Sequence, residues 1–315
     1  MKRLQEILLG DWGLVILFAI AFALVAWLVP NFFTSRNMLG LLQSVVTIGI
    51  VAGSMMLCLA SRDFDLSIGS NVAFCGMVVV MGSNWAGSVA VGILLALASG
   101  LLVGAINGVV IAKLRINALI ATLATLQIVR GLALIASDGR AVGVNDAAFY
   151  AIALTPVLGI PLPVWIMAAA LASFGFVLNR TVFGRNTLAI GGNPDASRLA
   201  GVDVARTRIA IFAVQGLMCA IAGILLASRI TSGQPNAALG LELSVISACV
   251  LGGVSLAGGR ATISGVIVGV LILGIAENAM NLLNIPAFYQ YLVRGVILLL
   301  AVLLDNLRAQ TLRRS

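Results

Sequence analysis

Histidine is absent from the 315 residues, and lysine occurs only as Lys2 and Lys113. Imidazole acid–base chemistry, Ser/His/Asp and Cys/His nucleophile sets and histidine-bearing zinc sites are thereby excluded. Neither lysine closes a G-x-x-x-x-G-K-[ST] loop, so the chain cannot cradle ATP phosphates by that route. Cysteine is also sparse. Cys58, Cys75, Cys219 and Cys249 each sit inside an apolar run, where a disulfide framework has no place. Charged residues make up 10% of the chain, against about 25% in a soluble domain. No polar stretch approaches the roughly 100 residues of a soluble catalytic domain. Any work such a chain performs must draw on an ion gradient or on another subunit.

What is present is apolar. Hydrophobic residues reach 61% and mean hydropathy is +1.13, more than an interior of this size can absorb. The reading is an all-α integral membrane protein, with residues 1–315 forming one transmembrane domain. A span takes about 20 apolar residues, leaving room for roughly eight to eleven. Runs bounded by charges, prolines or polar clusters place ten, near 12–30, 40–61, 65–82, 88–112, 116–137, 163–179, 208–228, 241–257, 262–280 and 287–305. The first follows Lys2 and Arg3 and has no small-residue cleavage site, so it reads as a retained anchor. Fourteen of the nineteen basic residues fall at the two termini or in the turnarounds after even-numbered spans. Short cytoplasmic loops collect such residues. Both termini are therefore expected in the cytoplasm, and the proline-rich 138–162 connection outside.

The basic 180–208 connection is expected to be cytoplasmic and to carry a small helix over 193–201. Asn193 suits the N-cap, Pro194 the first helical position and Gly201 the residue just past the end. Ala196, Leu199 and Ala200 share one face, with Asp195 and Arg198 at its rim. Such an element either docks on a partner or lies on the membrane surface as a capped turn.

One self-comparison is informative. Leu59-Ala60-Ser61-Arg62 reappears as Leu226-Ala227-Ser228-Arg229, and each is followed by an acid-Leu-Ser-aliphatic-x-Ser element. These run from Asp65 through Ser67 to Ser70, and from Glu242 through Ser244 to Ser247. The first pair falls at a cytoplasmic turn and the second at an outer one, as an inverted repeat of spans 2–5 onto 7–10 requires. Asp65 and Glu242 serve either as helix caps or as residues lining a pathway. Gly100, Gly104 and Gly108 lie on one helix face and invite close approach by another helix. The glycines between Leu251 and Arg260 break the eighth span into a tight turn. Intramembrane charge is scarce, with Arg130, Glu277 and Arg294 the main cases and Asn278, Asn281, Asn284 and Gln290 nearby in sequence. Charge in lipid is costly, which makes these pathway or interface candidates.

The Asp65-Leu-Ser-x-Gly-Ser element, Phe183-Gly184-Arg185, Leu251-Gly252-Gly253 and Arg294-Gly295 together resemble the permease subunits of ribose-type sugar ABC importers over nearly the whole chain. Longer stretches are similar to the L-arabinose branch: Ile116 to Gly139, Phe183 to Asn193, Ala227 to Pro235, Ile246 to Leu256 and Glu277 to Ile285. Sister permeases for ribose, xylose and galactose share most of these motifs. The resemblance implies a type II ABC importer fold in the bacterial inner membrane. It implies a non-catalytic, cofactor-free homodimer that receives sugar from a periplasmic binding protein. ATP and Mg would belong to a cytoplasmic ATPase partner, and nucleic acid has no part. The same resemblance makes Arg185, Asn193, Asp195, Ala196, Arg198, Leu199 and Gly201 the coupling element. Asp65, Ser67, Glu242, Ser244, Glu277 and Asn281 remain candidates for the pathway or for caps. The chain departs from the family pattern at Arg62-Asp63-Phe64, where glycines and an aliphatic residue are commoner. A stand-alone secondary carrier and a passive channel are the competing readings. The capped cytoplasmic helix and the scarcity of buried acids favour the importer.

Overall fold

A computed structural model describes residues 11–314; Lys2 and Arg3, which flank the first span, lie outside them. Helix α1 (Asp11–Leu28) leads into α2 (Ser35–Ser44), α3 (Val46–Ala60), α4 (Ile68–Ala86), α5 (Val89–Ala112) and α6 (Ala118–Ala136). After strand β1 (Val142–Gly143) come α7 (Ala148–Leu154), a hairpin of β2 (Pro156–Val157) and β3 (Ile160–Pro161), and α8 (Leu162–Arg180). The second half holds α9 (Val182–Gly192), α10 (Pro194–Leu199), α11 (Val204–Ile230), β4 (Ser232–Gly233), α12 (Leu241–Leu251), α13 (Ile263–Leu282) and α14 (Ala287–Arg314).

Among the described residues five helices, α5, α6, α8, α11 and α13, are long and apolar enough to cross a bilayer, or six if α2 and α3, bent by 42° at their junction, form one span. The expected second span is thus two helices. At the break the Leu41 carbonyl is shared, accepting Ser44 Oγ at 2.7 Å as well as Val45 N at a long 3.3 Å. The expected eighth span, 241–257, stops at Leu251. Gly253, Gly258 and Gly259 take φ of +83°, +81° and +76°, which glycine adopts without strain. The remaining α12 is about 16 Å long, half a bilayer.

Helix α3 sits at the centre. All of its residues except Thr47 are buried, as expected of a helix that is apolar all round. It packs against α8, α11, α12 and α13. The glycine face of α5 meets α11 as the spacing predicts. A Cβ at Gly100 would stand 2.6 Å from the Gly216 carbonyl oxygen, and one at Gly108 would stand 2.7 Å from the Ile209 Cα. Small residues let the two backbones touch. Outward faces carry Ile20, Leu24, Leu102, Ile128, Phe176 and Leu299 in the open, a surface suited to lipid or to the helices of a neighbour.

Loop pairings fix which helix ends lie together. β1 pairs antiparallel with β4, joining the chain after α6 to the chain after α11. The Asn84 side chain at the end of α4 donates to Gly143 O at 2.8 Å and accepts from Asn145 N at 3.0 Å. Ser228 Oγ donates to Phe149 O at 2.7 Å and accepts from Ala153 N, holding α7 against α11. The 138–162 connection therefore contains a docked helix that its prolines do not advertise. Exposed Trp27 and Trp85, which end α1 and α4, and Trp165 near the start of α8 gather toward this side, as indoles do at a membrane interface. At the other side Gly259 N donates to Ala60 O at 2.9 Å, so the 252–262 turn closes on the end of α3.

Candidate functional site

Three groups of side chains stand out, and the first is the excursion between α8 and α11. Thr181 caps α9, its hydroxyl accepting from Gly184 N at 3.1 Å. Arg185 lies exposed in the first turn. Asn193 caps α10, with Oδ1 accepting from Asp195 N and Ala196 N, each at 3.0 Å. Pro194 opens the helix and Gly201 follows it at φ +86°. Arg198 pairs with Asp195 at 2.9 Å on the surface. Ser197 is the buried side of the helix, whereas Ala196, Leu199 and Ala200 face out. Leu199 is 91% exposed. A six-residue helix that holds its only leucine in solvent gains nothing from it alone. Helix α9 went unread in the sequence, although Thr181 was a legible cap.

The second group surrounds Asp65. Its Oδ1 accepts from Ser67 N at 2.9 Å and Ser67 Oγ at 2.6 Å, just before α4 begins. Asn107 Nδ2 of α5 donates to Ser67 Oγ at 3.0 Å, and Thr125 Oγ1 of α6 donates to Asn107 Oδ1 at 2.6 Å. Asp65, Ser67 and Asn107 are buried, so this chain of polar groups ties three helices together inside apolar surroundings. Asn107 and Thr125 were missed in the sequence. A lone polar residue in an apolar run was their only signal.

Glu242 lies in the first turn of α12, without a side-chain cap. A Cβ on Gly69 would come within 2.6 Å of both its Oε2 and the Ala238 carbonyl oxygen. The two acid-Leu-Ser elements, expected at opposite faces, thus converge one turn into each helix. Ser244 beside it is buried, its hydroxyl 3.5 Å from Gly240 O. Arg130 Nη1 donates to Pro235 O at 2.5 Å and Ala237 O at 2.9 Å, tying α6 to the segment that leads into α12. Glu277 instead pairs with Arg294 at 2.8 Å, while Gln290 Nε2 donates to Asn281 Oδ1 at 2.8 Å. Asn37 and Asn278 exchange two amide bonds at 2.9 Å. These last contacts brace α2, α13 and α14 and form a group apart from Asp65.

The third is a cleft of about 1030 Å³ beneath the α3–α4 connection, lined by Arg62, Asp63, Arg115, Arg198, Asp203 and Arg208 with apolar walls. Asp63 pairs with Arg208 at 2.9 Å. Burial pushes its carboxyl up from 3.8 to about 6, against the opposing pull of Arg208 and the Ser61 hydroxyl. Because this value is raised in the folded state, the group's contribution to stability is full below pH 3.8 and is lost as pH climbs through 6. The melting temperature of the purified protein should therefore fall more steeply between pH 5 and 7 than that of Asp63→Asn, which has no such proton to lose. Parallel slopes would show that Asp63 does not titrate there.

Comparison with known proteins places these features in a lineage. The family described as "Branched-chain amino acid transport system / permease component" matches residues 37–302. The L-arabinose transport system permease protein AraH of Escherichia coli is 55% identical over 96% of this chain and 92% of its own length. The L-arabinose ABC transporter permease protein AraH of Azospirillum brasilense is 51% identical over 96% of this chain and 89% of its own. The ribose import permease protein RbsC of Escherichia coli is 40% identical over 90% of each. No solved structure matches.

Proposed function

The chain belongs to the branched-chain amino acid transport system / permease component family, and from that premise we propose that it carries L-arabinose across the inner membrane. It is the membrane-spanning, non-catalytic permease subunit of an ATP-driven sugar importer. The observation that carries the sugar assignment is the difference between 55% identity to an arabinose permease and 40% to a ribose permease, both over nearly the full chain. ATP hydrolysis is the work of a separate cytoplasmic ATPase, and a periplasmic binding protein delivers the sugar. A second copy of the permease completes the pathway.

A helix of six residues, capped by Asn193 and leaving Ala196, Leu199 and Ala200 uncovered by the rest of the chain, supports a coupling role for 193–201. Ten spans and an inverted repeat are supported by matched packing: α4 lies on α5 and α6, and α12 lies on α13 and α14. The convergence of Gly69 with Glu242 fits two broken helices whose starts meet inside the membrane. Asp65, Ser67, Glu242 and Ser244 are then the candidates nearest the path, and Glu277 with Asn281 braces it from the outer side.

Two experiments test this reading. The four native cysteines are buried, so single cysteines at Asp146 and Asp195 can be labelled without removing them. An impermeant reagent applied from outside should reach 146 and not 195; labelling of 195 would invert the topology. Cells holding the permease with its ATPase and binding protein should take up labelled L-arabinose. In that assay Asp65→Asn and Glu242→Gln should each lower uptake several-fold at normal permease abundance. Undiminished uptake by both would leave these acids as dispensable caps.

A further inference from the structure

Apart from Arg198, the residues lining the basic cleft have no role in coupling or in the sugar path as described. Its carboxylates are already spoken for: Asp63 pairs with Arg208 at 2.9 Å and Asp203 with Arg206 at 3.0 Å, while Arg198 pairs outside with Asp195. Arg62 and Arg115 also line it and have no carboxylate partner among the described residues. Both are exposed and hold φ of +66° and +58°, a conformation costly for a branched-off Cβ and free for glycine. Two arginines thus stand at helix ends where glycine would fit better, and both line one cavity. The cleft's other wall is apolar, with Ile116, Leu119 and Ile120 at the start of α6. From there an exposed apolar face continues along α6 through Ile128 to Ile135.

A rim of uncommitted guanidinium groups above an apolar face that runs into the bilayer matches one kind of molecule, with an anionic head and hydrocarbon tails. An acidic protein segment would use the rim but not the face. We propose that this cleft binds the headgroup of an anionic phospholipid of the cytoplasmic leaflet, with its acyl chains laid along α6. The proposal rests on the cytoplasmic placement of this side, which the labelling at 195 tests independently, and not on the identity of the sugar.

The test is native mass spectrometry of the full-length permease in detergent, titrated with phosphatidylglycerol, with phosphatidylcholine of the same chains, and with glycerol 3-phosphate. Saturable retention of phosphatidylglycerol alone is expected. Arg62→Gly/Arg115→Gly should bind it about thirty-fold more weakly while melting no lower than the wild type, because glycine suits both positions. If the glycine pair does not fold, Arg62→Gln/Arg115→Gln carries the same test. Equal retention of both lipids would overturn the proposal, as would undiminished binding by the double variant. Glycerol 3-phosphate binding as tightly as the lipid would make this a soluble-anion site instead. A double variant that keeps its lipid but no longer co-purifies the ATPase would make the cleft a protein dock.

Discussion

Replacing Leu199 with aspartate is expected to abolish sugar uptake while leaving the permease inserted and abundant. Helix α10 spans only Pro194–Leu199, so its own stability is slight and docking on the proposed partner would add to it. Its exposed face is small, and Leu199 is the one large apolar group on it. Burying a leucine is worth about 1.5–3 kcal/mol, which shifts an association ten-fold or more. Aspartate forfeits that gain and adds a charge to be desolvated at the contact. Co-purification of the ATPase from detergent extracts should fall accordingly, with permease abundance unchanged because no intramolecular contact uses this leucine. An ATPase that co-purifies at the wild-type level and still drives uptake would show that α10 is not the coupling element.

The second large effect is structural. Gly104→Leu should prevent the permease from accumulating in folded form. A Cβ at this position would overlap the Phe212 carbonyl oxygen and lie 3.0 Å from both the Cα and the N of Gly216. The obstruction is backbone, so no rotamer change relieves it, and α5 and α11 would have to separate. Overpacking of this kind costs about 3 kcal/mol or more where the backbone cannot yield. Size-exclusion chromatography of the extracted protein should show aggregate in place of a monodisperse peak. Gly131→Leu is the control, since a side chain there meets nothing within 4 Å. A monodisperse Gly104→Leu variant would mean that the α5–α11 crossing is looser than its geometry implies.

Features with a local cause were legible in the sequence. The Gly100-Gly104-Gly108 face, the Asn193 cap and the Gly201 stop each follow from spacing along one helix, and each is found where expected. The break near Val45 was not legible, because a serine bonding back to its own helix is common and bends only some helices. The glycine break after α12 was legible too, but the span was carried to 257 instead of Leu251 because Val254 and Leu256 continue the apolar run past the first glycines. Contacts between distant segments were beyond reach altogether. Asp63 with Arg208, Ser67 with Asn107, and Gly69 with Glu242 are joined only by the fold. The site was therefore legible as a set of unusual residues, and its partition into a buried network, a brace and a cleft was not.

As proposed above, this chain couples an ATPase to the passage of L-arabinose. ATP hydrolysis by the reconstituted permease–ATPase complex, measured with the binding protein and a panel of pentoses and hexoses, tests it most directly. Stimulation by L-arabinose should stand well above that by ribose, xylose or galactose, and should vanish when the permease is omitted. Hydrolysis indifferent to every sugar, or stimulated best by ribose, would contradict it.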